Sequence, residues 1–223
     1  MLVQISILSS LLPIIFFVVF CLRNATRELW VIFASCVASF ISDFSIIYYD
    51  WGYEHKYLLW NIYTILEYYL LIYFFYLIIK ERAIRFLIIL LSMVFLVLCI
   101  LFSKYDTDHF NSLIGAISSV IILTLSLCFF IISLKRTAEP ANFFTPIFLI
   151  VIGLLFYVAI TLFLYIIANN LSTEEFHKYW AINQLANILV NLIISLAFYL
   201  YRTRRKSPPH ENRSVDFTSP NDR

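Results

Sequence analysis

The chain has 223 residues, of which 62% are hydrophobic and 18% aromatic, while only 13% carry a charge. A soluble protein of that length has too little interior to bury so much apolar surface, so the solvent these side chains meet is lipid. A net charge of +2 is too small to suggest a nucleic-acid partner, and three glycines with long, non-alternating apolar runs exclude a membrane β-barrel.

The expected fold is all-α, a polytopic transmembrane bundle filling residues 1–202, with helices at 3–22, 29–49, 58–79, 86–102, 112–134, 143–168 and 179–201. The first segment lacks a basic start and a small-residue cleavage pattern before Arg23, so it reads as a retained helix rather than a signal peptide. Residues 203–223 mix charge, serine and proline and are expected to be a disordered basic cytoplasmic tail. Thirteen of the sixteen lysines and arginines fall in the loops at 23–28, 80–85 and 135–142 and in the segment from 202 onward. The alternate loops hold only Lys56, Lys104 and Lys178. By the positive-inside rule the N-terminus is outside and the C-terminus cytoplasmic. The outer loops are acidic and aromatic, Tyr48, Tyr49, Trp60 and Trp180 suit an interfacial belt, and Asn170-Leu171-Ser172 is a glycosylation sequon if the host is eukaryotic. Cys21, Cys36, Cys99 and Cys128 lie within or at the ends of apolar runs and read as small packing residues, not a disulfide framework.

Polar groups inside the runs mark the candidate site. In the second helix Ser35, Ser39, Ser42 and Asp43 form one stripe within roughly 100° of arc. The third helix carries Trp60, Tyr63, Thr64 and Glu67 on one face, with Asn61 and Tyr68 on its flank. An ionisable group at mid-membrane costs at least ~2.5 kcal/mol, so Glu67 asks for a reason. At ~1.5 Å per residue, Asp43 and Glu67 fall ~6 Å and ~2 Å outward of the midplane, a depth at which two neighbouring helices can bring them together. Two desolvated carboxyls in contact cannot both ionise. The seventh helix has Asn183, Gln184, Asn187 and Asn191 on one face; they read as interhelical glue, or as a wall of a polar pocket open to the outside. Gly153, Tyr157, Thr161 and Tyr165 recur every fourth residue in the sixth helix, a packing stripe that can also line such a cavity. Gly115 and Ser119, with nearby Ser112 and Ser118, in the fifth helix read as a close helix contact, and the fourth helix, with Ser92 alone, faces lipid. The ligand-binding set is therefore Glu67, Asp43, Asn61, Thr64, Asn187, Asn191 and Tyr157.

His55, His109 and His177 occur one per outer loop beside carboxylates, a weak candidate for a metal or pH-sensing site; solvated loop residues are the simpler reading, and no cofactor is expected. Seven helices with an outer N-terminus suggest a rhodopsin, yet 179–201 has no lysine for a retinal Schiff base. Membrane-embedded zinc hydrolases use histidines within helices, and here all four histidines lie outside them. The string Asn61-Ile62-Tyr63-Thr64-Ile65-Leu66-Glu67-Tyr68-Tyr69 resembles a pattern in uncharacterised bacterial heptahelical membrane proteins. That resemblance covers one helix, assigns no activity and implies a bacterial inner membrane.

The functional expectation is a membrane protein that binds a small ligand, or senses an external condition, through an outward-facing polar pocket. No inner loop holds an effector domain, so a signal would leave through a membrane or cytoplasmic partner. The competing readings are a proton-coupled transporter and an intramembrane lipid-modifying enzyme. No internal repeat supports the first, and no nucleophile paired with a base supports the second; catalytic residues are unassigned.

Overall fold

A computed structural model describes residues 2–48, 53–103, 112–136, 145–168 and 173–206. They form α1 (Leu2–Phe20), α2 (Arg27–Tyr48), α3 (Tyr53–Ile78), α4 (Arg82–Ser103), α5 (Ser112–Arg136), α6 (Pro146–Ala168) and α7 (Thr173–Lys206). All seven are long and apolar enough to cross a membrane, so the chain has the build of an all-helical multi-pass membrane protein. Even the shortest, at 19 residues, spans roughly 28 Å at ~1.5 Å per residue, close to the thickness of a bilayer's hydrocarbon core. Helices are the physical answer because lipid offers no partner to an unpaired N–H or C=O group.

The helix starts are set locally. Thr145 caps α6, its Oγ1 accepting from the Phe148 N–H at 3.2 Å, and Pro146 follows at the first helical position, where no N–H is needed. Thr26 accepts from the Trp30 N–H at 3.2 Å at the start of α2, whose first turn holds Glu28 near the positive end of the helix dipole. Between α3 and α4, Arg85 donates from Nε to the Ile79 carbonyl at 2.8 Å, and its guanidinium lies 5.0 Å from the Tyr76 ring centre. One side chain thus covers the end of one helix from the start of the next.

Four boundaries differ from expectation by more than three residues. α3, α4 and α7 start several residues earlier than their apolar runs, because hydropathy marks the membrane-embedded part of a helix and not the polar turns that extend it. Residues 203–206, expected to begin a disordered tail, are helical. The end of α7 is held down: Tyr201 donates from its hydroxyl to the Asn24 carbonyl at 2.7 Å, and the Arg202 guanidinium sits 5.3 Å from the Phe20 ring centre. Residues 207–223, the sequon and His109 lie outside the described residues. His55 and His177, expected in loops, instead belong to the early turns of α3 and α7, while their side chains also lie outside what is described.

The helices close into a ring. α1 packs on α2 and α7, α7 on α6, α6 on α5, α5 on α3, and α3 on α2; among the described residues α4 touches only α3 and α5. α4 is peripheral, and its exposed Phe86, Leu90, Met93 and Val97 face outward as expected of a lipid-facing helix. Phe17 ties α1, α2 and α7 together through ring contacts with Phe33 at 4.3 Å, Trp30 at 4.8 Å and Phe198 at 5.2 Å. Among the described residues, α3 makes no close backbone approach to α6 or α7, and the space left between them holds the polar groups.

Candidate functional site

On α3, positions 60, 63, 64 and 67 share a face because three- and four-residue steps return to the same side of a helix. That face meets Ser39 and Asp43 from α2, Tyr157 and Tyr165 from α6, and Trp180, Asn183, Gln184 and Asn187 from α7 around one cavity. Its volume is about 50 Å³, room for about three waters at the ~15 Å³ that one requires. It lies in the half of the bundle where α2 ends and α3 begins. Tyr63 donates from its hydroxyl to Glu67 Oε1 at 2.9 Å, Ser39 faces the same hydroxyl, and Asp43 is close enough to Glu67 to interact with it electrostatically. Among the described residues Asp43 acts on Glu67 through charge alone, with no direct hydrogen bond between the two acids. The Asn183 side-chain oxygen is buried with no protein donor, so a cavity-lining amide keeps an acceptor that a water or a ligand N–H or O–H would satisfy.

A second cavity of about 20 Å³ adjoins the first, sharing Thr64, Glu67, Tyr157 and Tyr165 and adding Ser118, Ser119 and Thr161. Ser118 donates to the Gly115 carbonyl at 2.8 Å and Thr161 to the Val158 carbonyl at 3.1 Å. Their protons are committed to their own helices, so they offer the cavity oxygen lone pairs.

Five of the seven expected residues, Asp43, Thr64, Glu67, Tyr157 and Asn187, line the main cavity, and Asn61 and Asn191 do not. Asn191 instead donates to Ser9 Oγ on α1 at 3.0 Å, and Asn187, while lining the cavity, donates to Ser6 Oγ at 3.1 Å. The amide face of α7 is thus divided along its length: Asn183 and Gln184 face the cavity, Asn191 binds α1, and Asn187 does both. The α1 partners carry a sequence signal of their own, since Ser6, Ser9 and Ser10 have the three-and-four spacing of a helix face. Trp60 and Trp180, expected in an interfacial belt, meet edge to face at 5.1 Å and line the cavity.

The sixth-helix stripe serves both of its readings. Tyr157 and Tyr165 line the cavity, whereas a Cβ on Gly153 would stand 3.1 Å from Ile193 Cγ2, so Gly153 permits α6 and α7 to approach. A Cβ on Gly115 would stand 2.8 Å from the Tyr165 ring, which confirms the close contact expected of α5 and shows what holds that tyrosine in place.

Among the described residues, no three His, Cys, Asp or Glu side chains converge as metal ligands. The four cysteines are free thiols, three of them buried. Fold and site together define a class: a seven-helix membrane bundle with an acidic, aromatic pocket in one half. No protein-family model matches the chain, and no curated protein or solved structure is detectably similar to it.

Proposed function

We propose that this protein binds a small polar ligand, or reports a condition of the outer medium, through a pocket built on Glu67 and Asp43. The observation that carries the reading is convergence. Two carboxyl groups from different helices, an unpaired amide oxygen and three tyrosines surround one cavity in a bundle whose buried side chains are mostly apolar. Carboxyl groups inside a membrane are costly and are retained where they face a cavity and do work. In this reading the N-terminus and the pocket mouth face outward, as the basic loops on the opposite side favour, and the setting is the inner membrane of a bacterium. A volume of about 50 Å³ restricts the ligand in this conformation to waters, a proton or a few heavy atoms, well below the ~300 Å³ of a drug-sized site. A signal leaves through a membrane or cytoplasmic partner.

The test is genetic. Glu67→Gln, Asp43→Asn and Asn187→Leu, each present in the membrane at normal amount, should reproduce the phenotype of deleting the gene. Wild-type behaviour from all three would overturn the reading.

One observation favours proton-coupled transport as a second reading: Glu67 borders both cavities, a position suited to handing a proton from one to the other. Protein reconstituted into vesicles with an imposed pH gradient should then dissipate it when the transported solute is added, and Glu67→Gln should abolish the effect. Absence of solute-dependent proton movement across a broad panel counts against it.

A further inference from the structure

A second concavity lies on the lipid-facing side of the same helix pair. It is an apolar groove of about 550 Å³ between α2 and α3, walled by Ala34, Val37, Ala38, Leu59, Ile62 and Leu66. That volume falls within the range of ~300–1,000 Å³ typical of ligand pockets, and the small residues on α2 are what leave it open.

The groove is not independent of the acidic cavity. Tyr63 lines both, so one side chain forms the partition between them. Ser42 and Asp43, adjacent in sequence, stand on opposite sides of it: Ser42 lines the groove and Asp43 the cavity. Ser42 is only 4% exposed, and its hydroxyl has no hydrogen-bond partner. An unpaired buried hydroxyl in an apolar groove is costly unless a polar group passes beside it.

The chemistry of the cavity selects the polar group. Among the described residues its lining has two carboxyls, no lysine, arginine or histidine, and the rings of Trp60, Trp180, Tyr63, Tyr157 and Tyr165. One ionised carboxylate of the pair and the aromatic faces both attract an organic cation, and neither favours an anion. Room for about three waters admits a primary ammonium with its first carbon and is tight for a trimethylated one.

We propose that the ligand is a single-chain amphiphile with a primary ammonium head, its alkyl chain lying in the α2–α3 groove and its head passing Ser42 and Tyr63 to reach Asp43 and Glu67. This rests on the reading of the acidic cavity as a ligand site. It adds the ligand class and the route, which is lateral from the outer leaflet with Tyr63 as the gate. The Tyr63 hydroxyl, now bonded to Glu67, is released as the ammonium takes its place.

The test uses the full chain in phosphatidylcholine nanodiscs and a long-chain primary alkylamine carrying a mid-chain diazirine. Photolysis should place cross-links on the α2 and α3 peptides that hold Ala34, Val37, Ala38 and Ile62. The matching unlabelled amine should displace the probe, and the alcohol and carboxylic acid of equal chain length should be poorer competitors by roughly tenfold or more, the worth of a charge-assisted hydrogen bond. Asp43→Asn combined with Glu67→Gln should erase that preference. Ala38→Phe should reduce groove cross-linking, but the competition in wild-type protein decides the matter even if that variant fails to fold. Equal displacement by all three head groups would show ordinary lipid contact and overturn the proposal. Ethylamine raising the unfolding temperature of wild-type protein but not of the double variant, with no groove cross-link from the long-chain probe, would overturn the amphiphile and leave the small-ligand site standing. No response to either amine would also overturn it, while the phenotype of the pocket variants judges the site itself.

Discussion

At the scale of single residues, the polar side chains of this bundle divide into those whose hydrogen bonds are satisfied by protein and those that are not. Asn191 belongs to the first group through Ser9, and a double-mutant cycle between Asn191→Leu and Ser9→Ala should return a coupling of about 0.6 kcal/mol, the usual worth of an interhelical hydrogen bond in a membrane. Unfolding in mixed micelles measures it, and a value near zero would show that the pair is coincidental. Asn183 belongs to the second group. Replacing an unpaired buried acceptor by an apolar group of similar size is close to neutral or stabilising, so Asn183→Leu should unfold at the wild-type temperature or above it while impairing the pocket variants' phenotype in the same way as Asn187→Leu. Marked loss of stability in Asn183→Leu would mean that its oxygen serves the fold instead.

At the scale of helices, the two glycines in α5 and α6 stand against different kinds of neighbour, and their alanine variants should separate accordingly. A methyl at Gly153 meets Ile193 Cγ2 at 3.1 Å and Val190 Cγ2 at 3.3 Å, on short branched side chains of a helix packed tightly against α6. Gly153→Ala should therefore push α6 from α7 and cost about 1–3 kcal/mol, with Ile193→Ala in the same chain restoring part of it. A methyl at Gly115 meets the Tyr165 ring, its nearest atom at 2.8 Å, on a longer side chain that can give way more readily than the short branched ones facing Gly153. Gly115→Ala should be the milder change in thermal unfolding. The reverse order would show that the α5–α6 contact, not the α6–α7 contact, limits the packing.

For the whole molecule, orientation is decided by charge outside the hydrocarbon. Cysteines engineered at Glu54 and Glu174, in a background lacking the four native cysteines, should react with a membrane-impermeant thiol reagent in intact cells. Cysteines at Arg82, Lys135 and Ser207 should react only after permeabilisation. Thirteen basic residues against three underlie this expectation, since each cluster near a membrane surface contributes about 1 kcal/mol per charge toward the cytoplasmic side. Labelling of position 207 in intact cells would reverse the orientation and put the pocket mouth on the cytoplasmic side.

Much of the architecture was legible in the chain itself. A run of apolar residues long enough to span lipid must be helical, so seven such runs specify seven helices without any tertiary information. The polar faces of α2, α3 and α7 were legible for the same reason, because helical periodicity assigns Asp43, Thr64, Glu67 and Asn187 to faces before any partner is known. What periodicity cannot assign is the partner. It left Asn187 and Asn191 equivalent, whereas packing turned Asn191 to Ser9 and kept Asn187 at the cavity wall. It did not connect Trp60 with Trp180, remote in sequence and edge to face in space. Nor did it foresee that Tyr63 would separate an acidic cavity from an apolar groove. Membership of a helix and of a face follows from backbone geometry and the absence of water, which every residue meets alone. Which faces meet depends on side-chain fit between helices, and that exists only once the bundle has closed.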